Sequence, residues 1–149
     1  MDIGKNKIYV TTLAIFWVTV AFSILVLLNV FLMNSLDLFN RALFYTSAFA
    51  LPLLGIALVV FAAKAGYTKI SRAFLILTGA SAIGMVIGAA LHNLVYALFI
   101  LLFGENFWGS GGDEPVFFIF ATIICPLALL VGIIGSIVLI AKKRVLPVQ

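Results

Sequence analysis

The sequence predicts an all-α integral membrane protein, a four-transmembrane-helix up-down-up-down bundle. Three observations predict it. The chain has 149 residues, of which 65% are hydrophobic and only 9% charged, whereas a soluble domain carries about 25% charged residues. Too few polar groups remain to cover a globular surface. The charges are also segregated, leaving uncharged runs over Ile8–Leu36, Ala42–Ala63, Ala73–Gly104 and Pro115–Ala141. Each exceeds the roughly 20 residues that cross a hydrocarbon core about 30 Å thick. Finally, the runs do not alternate and are far longer than barrel strands of about 10 residues. Helices remain, because a backbone in lipid must satisfy its own hydrogen bonds. The whole chain, residues 1–149, reads as one membrane domain.

The first helix is expected over 8–34. Lys5 and Lys7 precede it as they would a secretory signal, but the apolar run is longer than a signal core of about 7–15 residues and three more follow. It is therefore expected to be retained. The second helix is expected over 41–63, with Gly66 as the stop that follows it, and the third over 71–103. The fourth is expected over 115–141, with Asp113 of "GSGGDEP" as its N-cap and Pro115 in its first turn. Connections this short permit no folded ectodomain, and antiparallel neighbours are the simplest arrangement.

Orientation follows from the basic residues. With the amino terminus inside, Lys5, Lys7, Lys64, Lys69, Arg72, Lys142, Lys143 and Arg144 are cytoplasmic, and only Arg41 lies outside. Asp37, Glu105, Asp113 and Glu114 fall on the outer side. Tyr9 and Tyr67 belong at the inner interface, and Tyr45, Tyr96 and Trp108 at the outer one, the two levels amphipathic rings prefer. The expectation is a multi-pass protein of the cell membrane with both termini cytoplasmic. A weak parallel repeat of two hairpins is a further expectation: "FYTSAFALPLLG" aligns with "FIFATIICPLAL", Pro52 with Pro126. Apolar helices also resemble one another through composition alone.

Small residues recur every fourth position on the third helix, at Ala80, Gly84 and Gly88, and on the fourth, at Ala128, Gly132 and Ser136. Such stripes let helices approach closely in lipid, so they predict packing faces within the chain or between copies. Pro52 and Pro126 each remove a backbone donor inside a helix and predict kinks. Lone Cys125 excludes an intrachain disulfide and a CxxC redox pair.

His92 is the only histidine. Twenty residues beyond Arg72, at 1.5 Å each, it lies about 30 Å along the third helix, near the outer interface. Asn29, Tyr45, Asn93 and Tyr96 reach the same level and, with His92, form a candidate ligand-binding set in an outer-facing polar cavity. For His92 itself the favoured expectation is structural, one polar bond to a neighbouring helix near the interface, and a ligand- or proton-handling role is the alternative. A solvated acidic connection is expected outside it, with Glu105, Asp113 and Glu114 in water. One histidine without a partner ligand gives no metal shell. No carboxylate lies inside a span, and no nucleophile–base pair or phosphate loop is present, so no catalysis, cofactor or metal is expected. The basic residues sit at span ends, which gives no nucleic-acid signature. The expected role is a structural or accessory interaction subunit of a membrane assembly, in the bilayer, as a homo-oligomer or within a larger complex. The alternative is a binding or transport module for a small or lipophilic molecule.

Overall fold

A computed structural model describes residues 3–32, 38–109 and 112–142. These form helix α1, Ile3–Leu32; α2, Leu38–Lys64; α3, Lys69–Phe103; and α4, Pro115–Ala141. There is no strand among the described residues. All four helices are long and apolar enough to cross a membrane.

The helices differ from their apolar runs at the ends. α1 begins at Ile3 rather than residue 8, and α2 covers 38–64 rather than 41–63. The reason is physical: hydropathy marks what prefers hydrocarbon, while a helix continues past that boundary as long as its hydrogen-bond ladder does. Lys5, Lys7 and Arg41 therefore lie inside helices. The expected end of the first helix, residue 34, lies outside the described residues. α3 starts at Lys69, not residue 71, because Thr68 caps it: the Thr68 hydroxyl accepts from the Ser71 N–H at 3.3 Å.

Successive helices pack antiparallel. Tyr9 near the start of α1 meets Tyr67 beyond the end of α2, ring centroids 5.4 Å apart, and the Tyr67 hydroxyl donates to the Tyr9 carbonyl at 3.2 Å. Gly55 of α2 and Gly79 of α3 meet backbone to backbone: a Cβ on Gly55 would stand 2.6 Å from the Gly79 carbonyl oxygen, and one on Gly79 2.7 Å from that of Gly55. Between α3 and α4 the partner number falls as the α3 number rises: Phe74 meets Gly135, Thr78 meets Gly132, Gly84 meets Cys125 and Gly88 meets Ala121. The broad seams are α1 on α2, α2 on α3 and α3 on α4. α1 and α4 make no comparable seam among the described residues.

The interior is apolar but threaded with hydroxyls. Phe16, Leu51, Leu58, Leu75 and Leu129 are fully buried. Thr12, Thr19, Ser23 and Thr78 are buried among them, each donating to the carbonyl four residues earlier at 2.7–2.9 Å. A hydroxyl satisfied on its own helix fits an apolar seam without needing a partner across it.

α4 is not uniform. It is α-helical over Pro115–Ile119, π-helical over Phe120–Ile124, and α-helical again over Cys125–Ala141. The widened turn ends immediately before Pro126, with the Cys125 N–H bonded to the Phe120 carbonyl. A proline lacks a donor and its ring crowds the carbonyl four residues back; the widened turn is where the ladder absorbs both. Pro52 sits inside α2 without such a turn.

Candidate functional site: a histidine between two acids

Close approach of α3 and α4 builds the site. At Gly88 a Cβ would lie 3.0 Å from both the Ala121 methyl and the Phe120 ring, so glycine lets α4 lie against α3 there. One helical turn further, the His92 ring packs on Phe118, centroids 5.5 Å apart. This brings His92 level with the first residues of α4.

Those residues carry the two acids. Pro115 opens α4, so its N-cap is Glu114 and not Asp113 as the sequence suggests. Proline's fixed φ and missing N–H suit the first helical position, and the cap falls on the residue before it. The longer glutamate side chain folds back to take two orphan donors, Val116 N–H at 2.8 Å and Phe117 N–H at 3.0 Å. Its charge therefore sits at the positive end of the helix. Asp113 in turn accepts the Glu114 N–H at 2.7 Å.

His92 meets both. Its Nδ1 lies 3.0 Å from the Glu114 carbonyl oxygen and 3.4 Å from the Glu114 carboxylate. The carbonyl is the shorter contact and the natural acceptor of an Nδ1 proton. On the opposite ring edge, Nε2 lies 3.4 Å from an Asp113 carboxylate oxygen. Glu114 is only 4% exposed, and the Asp113 side chain is 53% exposed. The expected solvated acidic connection is corrected on this point: Glu114 is buried because capping and His92 satisfy its oxygens without water. Glu105 is exposed.

The rest of the connection folds back along the end of α3. Gly104 takes φ +92°, which ends the helix, and its N–H bonds the Ile100 carbonyl at 2.8 Å. Trp108 then stacks on Tyr96 at 6.1 Å, and its indole N–H donates to the Tyr96 carbonyl at 3.4 Å. Phe99 packs on Phe103, Phe107 and Trp108 at 5.0–5.5 Å. An aromatic cluster packs along the C-terminal end of α3.

The residues expected to line a cavity are scattered. The side chain of Asn29 lies outside the described residues. Tyr45 is 69% exposed on α2. Asn93 is exposed and donates to the Ala89 carbonyl of its own helix at 2.8 Å. Tyr96 belongs to the aromatic cluster. Of the small-residue stripes, Gly84 and Gly88 face α4 and Gly132 faces Thr78 of α3, while Ser136 is buried and Ala128 half-buried. Ala80 is exposed: the seam on α3 passes through Thr78 and Ser81 instead, so the four-residue spacing drifts off the face at its N-terminal end.

Sequence reasoning left Asp113, Glu114 and Phe118 apart from His92. The usable signal was "DEP": a proline at the first helical position fixes the cap, and antiparallel pairing across Gly88 puts that cap beside His92. Chemically, the cluster can hold or release a proton on one ring facing two acids. Because the acids face opposite ring nitrogens, one ion cannot take His92 and both acids as ligands, and no metal-holding group of His, Cys, Asp or Glu occurs among the described residues. No family model matches the chain, and neither curated proteins nor solved structures give a match.

Proposed function

We propose that this chain is a structural or accessory interaction subunit of a membrane assembly, formed with itself or within a larger complex, and that it is not an enzyme. In this reading it threads the cell membrane up-down-up-down with both termini cytoplasmic, and the aromatic cluster stands at the outer side. The two hairpins, α1–α2 and α3–α4, are then parallel repeats, each with a proline at the matching place.

The observation that carries the reading is the free end of α3. At 35 residues and 1.5 Å each, α3 is about 52 Å long, well beyond a hydrocarbon core of about 30 Å. Its buried residues run from Ser71 to Gly88, with none from Ala89 to Phe103. Leu101, Leu102 and Phe103 are 81%, 63% and 62% exposed, on a segment braced by Trp108 and Phe107. An exposed apolar surface of this kind, followed directly by the exposed Glu105, supports a contact site. The alternative, a module binding a small or lipophilic molecule, draws no support from the outward placement of Tyr45 and Asn93.

The test is native mass spectrometry after mild detergent extraction, comparing the wild type with a Leu101→Gln, Leu102→Gln double variant. Loss of a central contact costs about 2 kcal/mol or more, so the assembled species should fall more than about tenfold while the melting temperature holds. A wild type that is monomeric at every protein concentration, or a double variant that assembles normally, overturns the reading.

A further inference from the structure

Among the described residues, His92 on α3 meets both acids that precede α4. Asp113 and Glu114 are already ordered without it: Glu114 holds the α4 N-terminus through Val116 and Phe117, and Asp113 holds the Glu114 N–H. What the imidazole adds is the tie between α3 and this preformed corner. Both of its nitrogens face acceptors, the Glu114 carbonyl on one edge and the Asp113 carboxylate on the other. A neutral ring carries one N–H and can serve only one edge. Only the doubly protonated ring donates to both, and its positive charge then lies within 3.4 Å of two carboxylates.

We infer that His92, Asp113 and Glu114 form a proton-operated clasp that fixes the α3–α4 connection when the imidazole is charged and loosens its Asp113 side when it is not. The order of release follows from the distances. The Nδ1 proton stays with the Glu114 carbonyl at 3.0 Å, and the longer Nε2–Asp113 contact, on the more exposed acid, parts first. From the elements around the ring, α3 places Tyr96 one turn further on, the connection supplies Asp113 and Glu114 with Glu105 exposed beyond them, and α4 presents uncharged Phe118. The ring's 15% side-chain exposure gives a proton a path from the outer face. Histidine changes charge between about pH 5 and 8, so the clasp responds to acidification of the compartment it faces. It acts whether or not the aromatic cluster meets a partner.

The experiment uses the full chain in nanodiscs with Trp17→Phe, which leaves Trp108 as the single tryptophan. Nitrogen-15 resonances of the only imidazole give its titration directly, and acrylamide quenching of Trp108 reports the connection from pH 5 to 9. Quenching should rise with pH on the same midpoint as the ring. His92→Gln should quench independently of pH. Asp113→Asn removes the acid on the Nε2 edge, so Trp108 quenching should lose its pH dependence while the Nδ1 contact with the Glu114 carbonyl remains. Quenching that stays flat while the wild-type ring titrates overturns the clasp, as does Asp113→Asn quenching that follows pH as the wild type does. Asp113→Asn decides the matter by itself if His92→Gln fails to fold.

Discussion

A single hydrogen atom in place of a methyl group decides how close α2 and α3 lie. Gly55 and Gly79 face one another through their carbonyl oxygens, and a Cβ on either would come within 2.6–2.7 Å of the other's oxygen. Backbone cannot swing aside as a side-chain tip can, so the helices would have to part. In lipid, where helix association rests on close packing, overpacking of about 1–3 kcal/mol follows. Gly55→Ala is therefore expected to lower the melting temperature in detergent clearly. Gly66→Ala serves as the control, since a Cβ there meets nothing within 4 Å. Equal melting temperatures for the two variants would show that the α2–α3 seam is looser than its geometry. Sequence reading placed the small-residue faces at Gly84, Gly88 and Gly132 and passed over this pair. Gly55 and Gly79 have no small residue four positions away, Leu51 and Val59 flanking one and Leu75 and Ile83 the other. A glycine with no small residue at that spacing carries no periodic signal, and its partner is set by a register between helices that the pattern along one helix does not contain.

Elements are tied together by their ends as much as by their faces. At the end where α2 passes into α3, Tyr67 follows α2 and is 4% exposed, its hydroxyl donating to the Tyr9 carbonyl of α1. It lies between the second and third spans, and burial pushes its hydroxyl from the ordinary 10.0 up to about 12, with Thr12 pulling it back and Tyr9 adding to the rise. Below pH 10 the side chain is neutral folded or unfolded, and its contribution is fully present. Between pH 10 and about 12 the unfolded chain ionises while the folded one holds its proton, so stability falls as pH rises. A two-unit shift corresponds to about 3 kcal/mol at most. Against Tyr67→Phe, the wild type should be more stable at pH 8 by about 1 kcal/mol, one hydrogen bond, and should lose that advantage above pH 10 in thermal melts. An advantage unchanged to pH 11.5 would mean that Tyr67 is not held neutral by the fold. The α3–α4 end shows what an element-level reading catches and what it does not. A helix start at Pro115 is readable from "DEP", because proline's geometry is local. The meeting of its cap with His92 is not, because it depends on a connection that folds back along α3 through Trp108 and Phe99, packing that no local rule specifies.

At the scale of the whole molecule, charge segregation was enough to find four helices, because a bilayer imposes length and apolarity on any span that crosses it. The same simplicity hides the rest. Ala73–Gly104 reads as one apolar run, yet its buried residues stop at Gly88, since hydropathy cannot separate a surface facing lipid from one awaiting a protein. Which way the four helices thread is a question of free energy rather than contacts, because lysines and arginines are retained on the cytoplasmic side. Single cysteines on a Cys125→Ala background test it. Gly66→Cys is suited to the α2–α3 connection, as the position is exposed with open space at its Cβ. Asn106→Cys is suited to the α3–α4 connection, where the residue is exposed in the turn after Gly104. In intact cells an impermeant maleimide should label Asn106→Cys and leave Gly66→Cys untouched until the membrane is opened. Labelling of Gly66→Cys in sealed cells would invert the protein and place the His92 clasp on the cytoplasmic side, where the outer compartment's acidity could not reach it. Orientation thus fixes which pH the clasp senses, and the labelling of Gly66→Cys against Asn106→Cys decides which compartment the only histidine responds to.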